Sequence, residues 1–145
     1  MQDSIQHTKA ISSIFSKEGF MRIILLSGKP NTGKTTTLNI VYNDLVNQGG
    51  ITIKNKLQLG KNPMDFKTIL KYHGKTIAIF SMGDYYRQCR RAINDYAKCN
   101  YLILAYSDKF KWNLKDAIAR DPKNCVIAKT SNNAEDANAV ISAIK

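Results

Sequence analysis

Apolar residues along this chain fall into short unbroken runs and longer helical stripes, and the two alternate. Arg22-Ile23-Ile24-Leu25-Leu26-Ser27 is rich in Ile and Leu and shows no alternation, as a strand covered on both faces should. From Thr36 to Val46 the pattern changes period, and Leu38, Val41, Tyr42 and Leu45 share one helical face. Gly49-Gly50 ends that helix. Ile51-Thr52-Ile53-Lys54 opens an alternation that continues through Leu57 and Leu59, predicting a half-exposed strand. After the loop signal Gly60-Lys61-Asn62-Pro63, the segments 66–72 and 75–80 flank His73-Gly74 at hairpin spacing. Thr76-Ile77-Ala78-Ile79-Phe80 reads as a second buried strand, followed by a helix from Tyr85 to Lys98 and a strand from Tyr101 to Tyr106. A short helix from Asn113 to Arg120 is broken by Pro122, and Cys125-Val126-Ile127-Ala128 and Ala134 to Ile144 supply the last strand and helix. Ahead of all these, residues 4–17 predict a helix capped by Asp3 or Ser4, with Ile11, Ile14 and Phe15 on one side and Gly19 at its end. Strands alternating with helices predict an α/β domain whose sheet is mostly parallel, with an antiparallel hairpin inserted before the second buried strand.

Between the first strand and the first long helix lies Gly28-Lys29-Pro30-Asn31-Thr32-Gly33-Lys34-Thr35, which reads G-x-x-x-x-G-K-T. Gly28 and Gly33 permit backbone dihedrals that a side chain disfavours, so the amides between them can turn inward as a nest of donors. The following helix leaves its first N–H groups unpaired and points its positive dipole end the same way. A di- or triphosphate suits that concavity. The residues from Gly28 to Thr36 are thus the candidate binding loop, with Lys34 reaching the β- and γ-phosphates and the Thr35 hydroxyl holding Mg²⁺. A Gly/Lys-rich surface loop can match the pattern by chance, but here a strand precedes it and a helix follows.

From Arg22 to Leu45 the chain resembles the strand, Walker A loop and helix of P-loop nucleoside triphosphatases. The resemblance implies a three-layer α/β fold with helices on both faces of the sheet, and a Mg²⁺–nucleoside triphosphate as ligand. It does not choose among kinases, ATPases, GTPases and switches. Lys29 stands where some such loops, reading G-K-G-G-x-G-K-[ST], carry a lysine that reaches a partner subunit's nucleotide. Here Pro30 and Asn31 replace the two glycines, and a solvated lysine is the alternative.

In P-loop enzymes a strand beside the first ends in an acid that helps hold the Mg²⁺ shell. The second buried strand ends in Ser81-Met82-Gly83-Asp84, so Ser81 takes the acid's place and the acid comes three residues late. Ser81 could meet a metal-bound water. Asp84 is the candidate metal-shell acid or general base, and its alternative is to cap the helix that follows. Arg87, Arg90 and Arg91 on that helix are candidates for an anionic second substrate, or simply its wet face. The turn Ser107-Asp108-Lys109-Phe110-Lys111-Trp112 could form a substrate-contacting lip, with Trp112 equally suited to the core. Arg120 lies where nucleotide kinases often carry lid arginines, but the segment is too short for a lid domain. No N/T-K-x-D motif follows a strand and no DxxG switch is present, which favours ATP over GTP.

Composition narrows the setting. The chain has 145 residues, 43% of them hydrophobic, enough for one domain with one sizeable core, spanning 1–145 with residues 1–20 as an N-terminal helical arm. A net charge of +11 points to an anionic partner, either nucleic acid or a phosphorylated substrate. Between Lys54 and Lys75 there are six lysines and one acid, Asp65, and lysines protecting strand edges explain the same pattern without a ligand. Cys89, Cys99 and Cys125 lack ligand spacing and fit a reducing cytoplasm rather than a disulfide framework. His7 and His73 receive no role. No signal-peptide pattern or membrane-length apolar run occurs. Three functions remain: an ATP hydrolase or ATP-driven accessory protein, a small kinase acting on an anionic acceptor, and a non-catalytic nucleotide-binding module. In the first two, Lys34 and Asp84 are the candidate catalytic residues.

Overall fold

A computed structural model describes residues 21–110 and 113–144. The expected helix over 4–17 and the side chains of Lys111 and Trp112 lie outside the described residues. Six strands form one sheet in the order β2-β3-β4-β5-β1-β6. They are β1 (Arg22–Gly28), β2 (Ile51–Gln58), β3 (Phe66–Tyr72), β4 (Lys75–Phe80), β5 (Tyr101–Ser107) and β6 (Cys125–Ala128). Four helices accompany them among the described residues: α1 (Lys34–Asn47), α2 (Tyr86–Asp95), α3 (Leu114–Arg120) and α4 (Asn133–Ser142). β1 pairs in parallel with β5 and β6, and β4 with β5. The β2–β3 and β3–β4 pairs are antiparallel.

The unbroken apolar runs have a simple origin. Successive strand residues face opposite sides of the sheet, and both sides are covered. Ile24 and Leu26 of β1, Ile77 and Ile79 of β4, and Ile103 of β5 pack against Leu38, Val41 and Leu45 of α1 and Ala137 and Val140 of α4. Ile23, Leu25, Ala78, Leu102 and Leu104, from the same strands, pack against Cys89 and Ile93 of α2 and Leu114 and Ile118 of α3. The helical stripe predicted for α1 is the stripe it buries, with Tyr42 half-buried beside it.

At the hairpin turn His73 (φ 49°) and Gly74 (φ 77°) both adopt left-handed backbone, the geometry of a type I′ two-residue turn. β2 departs from the expected half-exposed strand. It is exposed at every position but Thr52, because it is an edge strand. Register shifts between Thr52 and Lys54 and between Lys54 and Leu57, together with its lysines, discourage pairing with another chain.

Helix ends differ from expectation by up to three residues, and two of the starts bear on the site. α1 begins at Lys34, because Gly33 is its N-cap, so Lys34 and Thr35 belong to the first helical turn. α2 begins at Tyr86 with Tyr85 as N-cap and no side-chain cap. Asp84 therefore does not cap it. A further correction concerns strand order: β4 does not lie beside β1, since β5 runs between them. The crossover after β1 packs on one face and the one after β5 on the other. The carboxyl ends of these adjacent strands thus form a switch point, where open α/β sheets place their ligands.

A buried ion pair fixes the connection from β6 to α4 there. Lys129 Nζ lies 2.8 Å from Asp136 Oδ2, with side-chain exposures of 1% and 5%. The Thr130 N–H and hydroxyl also donate to Asp136, at 2.9 and 2.8 Å. Burial alone would raise the Asp136 carboxyl, but these donors outweigh it and hold the group below its ordinary 3.8. Asp136→Ala strands the Lys129 charge and should cost about 3–5 kcal/mol in urea denaturation at neutral pH. Because the folded-state pKa is lowered, the carboxylate's contribution is present above pH 3.8 and is lost as pH falls through the lowered value. The gap between variant and wild type should narrow accordingly in acid.

Candidate functional site

The loop from Gly28 to Lys34 leaves β1 and closes onto the first turn of α1. Its shape is set by left-handed backbone at Asn31 (φ 60°) and Gly33 (φ 91°). Only Gly33 of the two motif glycines needs that freedom. At Gly28 the constraint is contact instead, since an added Cβ would sit 2.8 Å from Lys129 Cβ. At Gly33 it would also meet Asn133 Oδ1, at 2.7 Å. Lys34 folds back along the loop, and its ammonium donates to the carbonyls of Gly28 (3.1 Å) and Lys29 (2.7 Å). Thr32 Oγ1 donates to the same Lys29 carbonyl at 2.6 Å. Lys34 is buried, and desolvation pulls its pKa below the ordinary value while the carboxylates of Asp84 and Asp108 pull it back up. No side chain caps α1 and no acid lies in its first turn, so that helix end keeps its positive character.

Across from the loop stand two carboxylates. Asp84 is placed by Gly83, which approaches β5 so closely that an added Cβ would lie 2.7 Å from the Ala105 carbonyl carbon. The Gly83 carbonyl accepts from Ser107 N at 3.0 Å. Asp84 Oδ1 is buried and has no hydrogen-bond partner among the described residues. The second carboxylate, Asp65, was not singled out from sequence as a site residue. It lies in the β2–β3 connection, and its Oδ1 accepts from Thr35 Oγ1 at 2.8 Å. Its only signal in the sequence was being the lone acid in a lysine-rich stretch.

Between loop and carboxylates is a cavity of about 220 Å³. Asn31 to Thr36 line one wall, and Asn62, Met64, Asp65, Ser81, Gly83 and Asp84 the other. Of the predicted binding loop, Gly28, Lys29 and Pro30 stay outside the cavity lining. The Lys29 and Pro30 side chains are exposed. Arg87, Arg90, Arg91 and Arg120 line no part of it either. Phe110 packs edge-on against Tyr86 and Tyr106, with ring centroids 5.5 and 4.9 Å apart, so it serves the core rather than a lip. Asp108 does flank the loop. It accepts from the Ser27 hydroxyl, which lowers its pKa, and its N–H donates to the Gly28 carbonyl at 3.0 Å. Cys89 lies beneath Asp84 with its thiol pushed up to about 12, chiefly by burial, and is inert as a nucleophile.

No three His, Cys, Asp or Glu side chains gather into a metal-binding group among the described residues. Hydroxyl and carboxylate oxygens at Thr35, Asp65 and Asp84 nevertheless offer the hard donors Mg²⁺ takes, and that ion ordinarily completes its shell with water and substrate phosphate. No described helix is long and apolar enough to cross a membrane. Comparison with known proteins finds no matching family model, curated protein or solved structure.

The turn makes a direct stability claim. Gly33→Ala forces a side chain into left-handed backbone, at about 1–2 kcal/mol, and presses it against Asn133. Urea denaturation should show at least that loss, and an unchanged midpoint would contradict the described turn.

Proposed function

We propose that this chain has the three-layer P-loop nucleoside triphosphatase fold and is a Mg²⁺-dependent ATP-binding protein that hydrolyses ATP. One observation carries the reading. Lys34 and the uncapped start of α1 line a cavity whose opposite wall includes Asp84, a carboxylate with one oxygen, Oδ1, buried and unpartnered among the described residues. Cationic donors on one side suit a triphosphate tail, and a proton acceptor on the other suits a reacting hydroxyl.

The described residues divide the work. The amides opening α1 and the Lys34 ammonium stabilise charge spreading over the transferring phosphoryl oxygens. Thr35 and the nearby carboxylates would hold Mg²⁺, which when bound neutralises further phosphate charge. The Asp84 carboxylate accepts a hydrogen bond from the attacking water and draws off its proton as the water oxygen bonds to phosphorus and ADP departs. Hydrolysis is favoured over transfer to an anionic acceptor by the cavity's charge. Lys34 is the one cationic side chain lining it among the described residues, and the triphosphate claims that charge. Water needs no such partner. ATP is favoured over GTP because no guanine-reading N/T-K-x-D motif follows a strand. Cys89, Cys99 and Cys125 are all free, in keeping with a reducing compartment such as the cytoplasm.

Lys34→Ala should abolish ATP binding measured by titration calorimetry while leaving the circular dichroism spectrum unchanged; undiminished affinity would refute the assignment. Asp84→Asn should retain ATP binding and slow phosphate release at least ~100-fold. A wild-type rate would show that this carboxylate does not act on the water.

A further inference from the structure

Ser81 occupies the strand end where P-loop proteins carry an acid, and the structure shows a carboxylate reaching that spot from the neighbouring strand. β3 and β4 are antiparallel with Lys67 opposite Phe80, so the start of β3 lies beside the end of β4. Phe66 N donates to Ser81 Oγ at 2.8 Å, and Ser81 N donates to the Phe66 carbonyl at 3.0 Å. Asp65 is thereby carried to the ligand end of the sheet, where Ser81 Oγ lies 3.4 Å from its Oδ1.

Its position is held from several sides. The Asp65 N–H donates to the Asn62 carbonyl at 3.1 Å, and its own carbonyl accepts from Leu59 N at 2.8 Å. Asn39 of α1 donates to the preceding carbonyl, that of Met64, at 3.0 Å. A threonine hydroxyl has one proton and two lone pairs. With the Thr35 proton given to Asp65, its lone pairs remain available to a cation. We propose that Asp65 is the positioning carboxylate of the Mg²⁺ site: it orients the Thr35 hydroxyl and accepts from water in the metal's shell, supplying from β3 the acid that β4 lacks. Asp84 is then left to the reacting water. This inference rests on the phosphate-loop reading above. Its rival is a bond that merely fastens the β2–β3 connection to α1.

Binding of a fluorescent ATP analogue to the full chain, titrated with Mg²⁺ and repeated in EDTA, separates the two. Asp65→Asn keeps an acceptor for Thr35 but removes the charge. The Mg²⁺ concentration giving half-maximal enhancement should rise ~10–100-fold, as for loss of other groups that orient a metal's ligands. Affinity in EDTA should be no weaker than wild type. Asp65→Glu, which restores the charge, should recover most of the Mg²⁺ response. A wild-type Mg²⁺ midpoint in Asp65→Asn, equal behaviour of the Asn and Glu variants, or weakened binding in EDTA would each overturn the proposal. If the wild-type chain bound no analogue at all, the phosphate-loop reading would itself fall, and this inference with it.

Discussion

A lysine ammonium bent back onto the carbonyls of its own loop is the contact on which this site is built. Lys34 opens α1, yet its charge lies buried against the Gly28 and Lys29 carbonyls. Burying an ammonium is costly unless donors and acceptors match. Here two main-chain oxygens receive it, and Asp84 and Asp108 lower the cost electrostatically. The contact exists only because the chain turns left-handed at Asn31 and Gly33. A loop of ordinary dihedrals would send the lysine into solvent and leave the helix end as one more hydrated terminus.

The sheet supplies the rest by placement. β1 and β5 release their crossovers to opposite faces, which opens a crevice at their carboxyl ends. Ser27 and the Gly28 carbonyl tie that crevice to Asp108. Lys129 N donates to the Ser27 carbonyl at 2.7 Å, and the Lys129–Asp136 pair anchors α4 beside the loop, with Asn133 against Gly33. The loop from Gly28 to Lys34 is therefore wedged between β5 on one side and the β6–α4 turn on the other.

Much of this was readable from residue order. The runs from Ile23 and Thr76 read as buried strands because their apolar residues are unbroken, those from Tyr101 and Cys125 read as strands, and His73-Gly74 could hardly be anything but a hairpin turn. The loop was legible because its chemistry is local: glycine, lysine and threonine act within eight consecutive residues. Of the two carboxylates, Asp84 was a candidate from its place after the second buried strand, with helix capping as the alternative, and the packing of Gly83 on β5 sets it in a cavity wall. Asp65 follows a proline loop and resembles any turn acid. Its place in the cavity wall depends on an antiparallel register that brings β3 beside Ser81, and no nearest-neighbour pattern encodes that. Strand order was invisible in the same way, because nothing in the sequence of β5 declares that it inserts between β1 and β4.

The pairing of β1 carries a consequence for how the chain matures. β1 is the first described strand, yet its neighbours are the two latest, and Ile24 finds its partner at Cys125. Contacts so distant along the chain form slowly, since a long loop must close before they are rewarded. During synthesis the β2–β3–β4 meander can assemble from local pairings while β1 waits with its apolar faces uncovered. The loop between β1 and α1 thus takes its final surroundings late in folding, only once β6 and α4 have left the ribosome, and any ligand that grips it would select chains in which that pairing is already made.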